Sequence, residues 1–158
     1  MSGKASKSVV KFWVIALVVV IAAAGTVAAF SLPGFGKPEN LKAAGGAVSI
    51  PLSKVSDGKA RFYKFADGGK EISFFVVKSP DGSVKAAFDT CDVCYKEKKG
   101  YTQDGSFMVC KACNRKFDTN RIGPHAVGGC NPSHLPSKQA GGNLIITVAD
   151  LKAGARYF

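Results

Sequence analysis

Residues 88–117 read FDTCDVCYKEKKGYTQDGSFMVCKACNRKF, and the two Cys-x-x-Cys pairs in this stretch decide how the rest of the chain is read. The pairs are Cys91-Asp-Val-Cys94 and Cys110-Lys-Ala-Cys113, with fifteen residues between them. At that spacing, two tight turns bring four thiolates to the corners of one tetrahedron around a metal ion. A fifth cysteine, Cys130, completes a forty-residue window that holds every cysteine of the 158-residue chain.

Between the pairs, Asp104-Gly105 is a hairpin-turn signal leading into Ser106–Val109 as a strand. Each pair is expected on a turn, its backbone amides aimed at the sulfurs. Lys96, Lys98, Lys99, Lys111, Arg115 and Lys116 stand around them. Four thiolates around a divalent metal carry a net charge of about −2, which these cations offset. For each cation taken singly, a solvated loop explains its presence equally well.

Upstream, the signals are those of strands. Val48–Leu52 is a short alternating run in which Pro51 suggests an edge position. Ala60–Phe65 and Glu71–Val77 flank the turn Ala66-Asp67-Gly68-Gly69, and Pro80-Asp81-Gly82 turns the chain into Val84–Phe88. The pattern predicts an antiparallel meander whose last strand delivers Cys91. Downstream, Asn143–Val148 reads as a further strand and Ala149–Tyr157 as a short final helix. The expected fold is therefore mainly β: a small antiparallel domain with a zinc-ribbon-like double Cys-x-x-Cys site. Phe62, Phe65, Phe74, Phe75 and Phe88 read as its core rather than as a ligand pocket.

The other end of the chain says where this domain works. Phe12–Leu32 runs twenty-one residues without a charge. As a helix at 1.5 Å per residue it would span about 31 Å, close to the roughly 30 Å hydrocarbon core of a bilayer. Lys4, Lys7 and Lys11 precede it and no acid does, although Lys37 and Lys42 follow on the other flank. The bias places the N-terminus in the cytoplasm and the remainder outside. Residues 1–11 are thus expected as a basic tail, 12–32 as a transmembrane anchor, 33–46 as a Pro/Gly/Lys-rich linker and 47–158 as an extracytoplasmic domain. A cleaved signal peptide ending near Val27-Ala28-Ala29 is the rival reading, and it exports the same domain. The exported part keeps 19 basic against 11 acidic residues, a net of +8. Such a charge suits anionic lipid or an acidic partner; export argues against nucleic acid.

Four thiolates suit zinc, a single iron or an iron–sulfur cluster, and copper(I) accepts them too. A structural zinc site would contribute roughly 10–16 kcal/mol towards folding, but would leave Cys130 over. A cluster could take Cys130 as an additional or alternative ligand. Gly128 and Gly129 before it permit close backbone approach, and His125 and His134 flank it as further candidate ligands. Disulfides are a third possibility in an oxidising compartment, although five is an odd number. A thioredoxin-type site is disfavoured because neither pair opens a helical pattern.

Taken together, Phe88-Asp-Thr-Cys91-Asp-Val-Cys94, Gly100-Tyr101, Val109-Cys110-Lys-Ala-Cys113 with Phe117, Ile122-Gly123 and Gly128-Gly129-Cys130-Asn131-Pro132 resemble the FtrD-like family of predicted membrane iron–sulfur proteins. The resemblance covers roughly residues 45–158. His134 departs from the family's usual apolar and proline residues after the Asn-Pro, which weakens it as a ligand candidate. Longer relatives carry several membrane helices before this domain, where this chain has one candidate segment. What the resemblance implies is an iron–sulfur or other thiolate-bound metal centre outside the membrane. Relatives are associated with ferrous-iron uptake systems that pair a permease with periplasmic iron-binding and cupredoxin-like proteins. The implied job is moving electrons to or from iron during import, with an iron permease or redox proteins as partners.

No general acid, base or nucleophile constellation is visible, so an electron carrier or metal handler is expected rather than an enzyme. The alternatives are a structural zinc ribbon presenting a basic surface, and a thiol-disulfide or copper-handling protein using the same cysteines.

Overall fold

A computed structural model describes residues 37–126 and 129–158. The tail and the anchor expected over 1–32 lie outside the described residues, as does the start of the linker. No helix among the described residues is long and apolar enough to cross a membrane.

The run Ile72-Ser-Phe-Phe-Val-Val77 organises the domain. It lies within β4 (Lys70–Lys78), the longest strand described. Successive strand residues point to opposite faces, so an apolar run at consecutive positions must be covered on both sides. Ile72, Phe74 and Val76 enter one hydrophobic cluster, whereas Phe75 and Val77 enter another. β3 (Arg61–Asp67) and β5 (Val84–Phe88) flank β4 antiparallel, with Phe62 opposite Phe75 and Phe74 opposite Phe88. The β3–β4 turn falls on Gly68 and Gly69, both at positive φ (54° and 88°), as a two-residue hairpin loop requires. The expected meander is therefore present.

The linker expected over 33–46 is shorter than its composition suggests. Glu39–Leu41 forms β1, paired parallel to β3 in the sheet order β1-β3-β4-β5. An edge strand of three residues is held by backbone hydrogen bonds and has no apolar period to betray it. Its parallel pairing is also the one departure among these sheets from the antiparallel expectation.

On one side of β4 lies a second sheet, β2 (Ala47–Pro51), β10 (Asn143–Thr147) and β9 (Lys138–Ala140), in the order β2-β10-β9. Pro51 sits on its edge strand, as expected. Ile50 faces Leu144 and Val48 faces Ile146 across the β2–β10 ladder. These residues close over Phe65, Phe74 and Phe88 to form the larger core. The final helix is six residues long, α1 (Val148–Ala153), followed by a 3-10 turn over Ala155–Tyr157. Thr147 caps it, its Oγ1 accepting the Asp150 N–H at 3.1 Å. Gly154 follows as its C-cap and must be glycine, because a Cβ there would collide with the Phe88 ring.

On the other side of β4 lies a third sheet, β6 (Tyr101–Asp104), β7 (Phe107–Cys110) and β8 (Lys116–Asp118), in that order. The expected hairpin turn at Asp104-Gly105 is there, with Asp104 opposite Phe107 and Gly105 at φ +58°. Gln103 ties the hairpin to the first sheet: its Oε1 accepts the Ala60 N–H at 2.6 Å and its Nε2 donates to the Gly58 carbonyl at 2.8 Å. The second core contains Ala60, Phe75, Val77, Ala87, Tyr101 and Met108, and it also contains Cys91, Cys110 and Cys130.

Candidate metal centre

Three chain segments carry the cysteines to this core. The first leaves the end of β5. Cys91 follows Phe88 by three residues, and the turn after it is closed by the Cys94 N–H, which donates to Cys91 Sγ at 3.1 Å. The second is the end of β7, where Cys110 lies opposite Tyr101. Cys110 N–H donates to the Arg115 carbonyl at 2.9 Å and Asn114 N–H to the Cys110 carbonyl at 2.8 Å, which folds Lys111–Asn114 into a tight turn. Both pairs therefore sit on turns, and amide hydrogens reach two of the sulfurs: Cys91 from Cys94, and Cys113 from Arg115.

The third segment is placed by backbone pairing that leaves no mark in the sequence. Phe88 N–H donates to the Ser133 carbonyl (2.8 Å), Ser133 N–H to Thr90 (3.0 Å) and Leu135 N–H to Ala86 (3.2 Å). The strip after Cys130 thus runs antiparallel along β5, with His134 bridged to Ala87. That zip sets Cys130 beside Cys91 and Cys94.

The sulfurs meet in two groups with one member in common. The Sγ atoms of Cys91, Cys94 and Cys130 lie within 4.8 Å of one another, and so do those of Cys94, Cys110 and Cys113. Cys94 and Cys130 are 3.6 Å apart, and the Cys113 thiol is influenced by those of Cys130, Cys110 and Cys94. All five are free thiols. Cys91, Cys110 and Cys130 are buried, Cys94 is half-buried and Cys113 is exposed.

These contacts rank the thiols. The Arg115 amide, with neighbouring thiols that also donate to it, holds Cys113 down to about 7 despite its partial desolvation. Cys130 donates to Cys113 and is buried, which together push it up to about 11. Cys94 is pushed up further by its hydrogen bond to Cys130 and by burial. Of these three thiols the exposed Cys113 ionises first, and an incoming metal must displace the protons of Cys94 and Cys130.

Two residues not read from the sequence as part of the site line it. The Tyr101 hydroxyl donates to the Cys130 carbonyl at 2.6 Å, and burial beside Cys91 pushes its pKa up. Asp89 Oδ1 accepts the Tyr101 N–H at 2.7 Å, and burial raises its carboxyl to about 6. Its carboxylate packs where a Cβ of Gly100 would stand, and Gly100 is at φ +65°, so both space and backbone require glycine. The Gly100-Tyr101 pair within the matched motif was the available signal.

Neither histidine joins the sulfurs. Among the described residues, the groups able to hold a metal contain cysteine alone. His134 has its backbone in the strip along β5, and its Nδ1 is buried without a partner. His125 is exposed and lines a cleft with Lys85 and Arg121. Gly129 needs its left-handed backbone (φ +69°), with nothing within 4 Å of a built Cβ; Gly128 lies outside the described residues. Lys116 is engaged with Asp104 at 2.6 Å, whereas Lys96, Lys98, Lys99, Lys111 and Arg115 are all exposed.

The donor set fits a thiolate-bound metal. A tetrahedral ion with metal–sulfur bonds of about 2.3 Å holds its sulfurs about 3.8 Å apart, and these sulfurs already stand at that scale. Soft thiolates select iron, zinc or copper(I) over hard cations.

No curated protein matches the chain in sequence. A family model described as "Membrane iron-sulfur containing protein FtrD-like" matches residues 55–158. That span takes in all five cysteines, the β4–β5 floor beneath them and the strip that positions Cys130, and the chain belongs to the FtrD-like family of membrane iron-sulfur containing proteins.

Proposed function

We propose that this chain is a membrane-anchored, extracytoplasmic electron carrier that works through a thiolate-bound iron centre in the service of iron transport. The observation that carries the reading is the convergence of five cysteine sulfurs from three chain segments on one cluster. Iron held there would supply a one-electron couple. The chain's own contribution is to bury three of the five sulfurs and to aim amide hydrogens at Cys91 and Cys113. The exposed cations of the two loops offset the thiolate charge. The charge-free run at 12–32 behind Lys4, Lys7 and Lys11 supports the anchor and its orientation. An iron permease or another redox protein is the partner this reading requires, with no role for nucleic acid.

The test is metal and acid-labile sulfide analysis, with an absorption spectrum, on the full chain purified in detergent without oxygen. Iron with a visible charge-transfer band that dithionite bleaches is the expected result. One zinc per chain, colourless and inert to dithionite, would refute it.

The closeness of the sulfurs favours one second reading, a structural single-ion site of the zinc-ribbon kind. A multi-iron cluster places irons and sulfides between the thiolates and must spread them, whereas one tetrahedral ion need not. In that reading the basic surface, rather than the metal, does the work with partners.

A further inference from the structure

One edge of the sulfur cluster reaches solvent, and its surroundings are distinctive. Cys113 is exposed although its Sγ lies within 4.8 Å of those of Cys94 and Cys110. Val93, which directly precedes Cys94, is 62% exposed, the most exposed large apolar side chain among the described residues. A lone exposed valine needs no explanation. Here, however, it stands next to Cys94, whose sulfur lies within 4.8 Å of that of the exposed Cys113. Around this tip the two loops carry five exposed cations, Lys96, Lys98, Lys99, Lys111 and Arg115, against two carboxylates, Asp92 and Glu97. Glu97 is 3.8 Å from Lys99, and Asp92 accepts a hydrogen bond from the Tyr157 hydroxyl. Lys98, Lys99 and Lys111 line a single cleft of about 630 Å³, so cations from both loops meet on one surface beside Gly100.

Electron transfer falls steeply with distance, and the remaining sulfurs belong to residues that are buried or half-buried. From this we propose that the Val93–Cys113 edge is the face through which the centre exchanges electrons, and that it docks an acidic protein surface. The inference rests on the electron-carrier reading above. The partner's carboxylates meet the ring of cations, while Val93 offers an apolar contact at the point of closest approach. Charge complementarity of this kind raises association rates and makes them salt-dependent. In the exchange itself one electron passes between the reduced centre and the partner's oxidised group, with no bond made or broken.

The experiment uses the full, metal-loaded chain in phosphatidylcholine vesicles and two inorganic oxidants of opposite charge, hexacyanoferrate(III) and hexaammineruthenium(III). The dithionite-reduced protein is mixed with each at low and high salt. Hexacyanoferrate oxidation is expected to slow with salt, and to slow roughly 10-fold or more at low salt in a Lys99→Glu/Arg115→Glu variant, within the range of electrostatic steering. Hexaammineruthenium should gain in the same variant, and Lys138→Glu on β9 should change neither. A Lys99→Gln/Arg115→Gln variant, with smaller changes of the same sign, keeps the test sound if charge reversal harms folding. A reducible centre whose hexacyanoferrate rate ignores these substitutions would overturn the proposal. So would substitutions that lose their effect once phosphatidylglycerol is added to the vesicles, since the cations would then face lipid. A centre that dithionite does not reduce fails the carrier reading itself, a distinct and earlier result.

Discussion

The two faces of β4 are closed by different chemistry. On one, Ile72, Phe74 and Val76 meet Val48, Ile50, Leu144, Ile146 and Leu151, and the cluster is aliphatic and aromatic with no cysteine. On the other, Phe75 and Val77 meet Tyr101 and Met108, and the cluster is completed by Cys91, Cys110 and Cys130. The first side is held by antiparallel ladders and a capped helix. The second is held by a three-stranded sheet whose strands have at most four residues, and by loops. One strand thus serves as the wall of a finished core and as the floor of an unfinished one. Stability and candidate function are divided between the faces: the apolar side supplies a scaffold, and the sulfur side gathers cysteines that could hold a metal ion.

Removing the metal should break the comparison most sharply. A strong chelator is expected to cost the sulfur side on the order of 10 kcal/mol. Amide exchange should then lose protection in β6, β7 and β8 while β2, β4 and β10 keep theirs. Uniform loss across both sides would show that the hydrocarbon core does not stand alone. Phe74→Ala attacks the opposite face. With Phe74 fully buried, a loss of about 3–5 kcal/mol is expected in denaturant unfolding. Metal content per folded molecule should be unchanged, and a fall in it would mean the faces are not independent.

Cys130→Ser sharpens the comparison within the sulfur side. If Cys130 is a ligand, its loss should weaken metal retention by at least 10-fold in a chelator competition and alter the absorption spectrum. An unchanged spectrum would leave the four cysteines of the two pairs as the whole donor set. The smallest effect is expected from Tyr101→Phe, which removes only the hydroxyl bonded to the Cys130 carbonyl. A stability loss of about 1 kcal/mol is expected, accompanied by a spectral shift if Cys130 is a ligand. A stability loss with no spectral change would make Tyr101 part of the packing alone.

Much of the fold was legible because its signals are local. The apolar run of β4, the glycine turn at Gly68-Gly69 and the Asp104-Gly105 hairpin each act within a few residues. The aromatic residues expected in the core are there, shared between the faces: Phe65, Phe74 and Phe88 on one, Phe62 and Phe75 on the other. What was not legible involves partners far apart in sequence. β9 is three exposed residues, and β1 has one half-buried leucine, so neither carries a period. His134 was a candidate ligand because it follows Cys130 closely. Its backbone pairs with Ala87 on the β5 edge, and it is not among the described residues grouped to hold a metal.

The order of residues alone carries the two Cys-x-x-Cys turns, whose sulfurs could hold a metal ion, the mainly β character of the domain and its family. Spacing and side-chain period are written along the chain and survive without coordinates. Only the tertiary structure decided that Cys130 reaches the others, that Tyr101 and Asp89 stand behind them, and that Cys113 faces solvent. Those outcomes depend on hydrogen bonds between backbones remote in sequence and on which face of β4 each segment covers. Backbone groups are the same in every residue but proline, so their long-range pairings leave no trace in the order of the side chains.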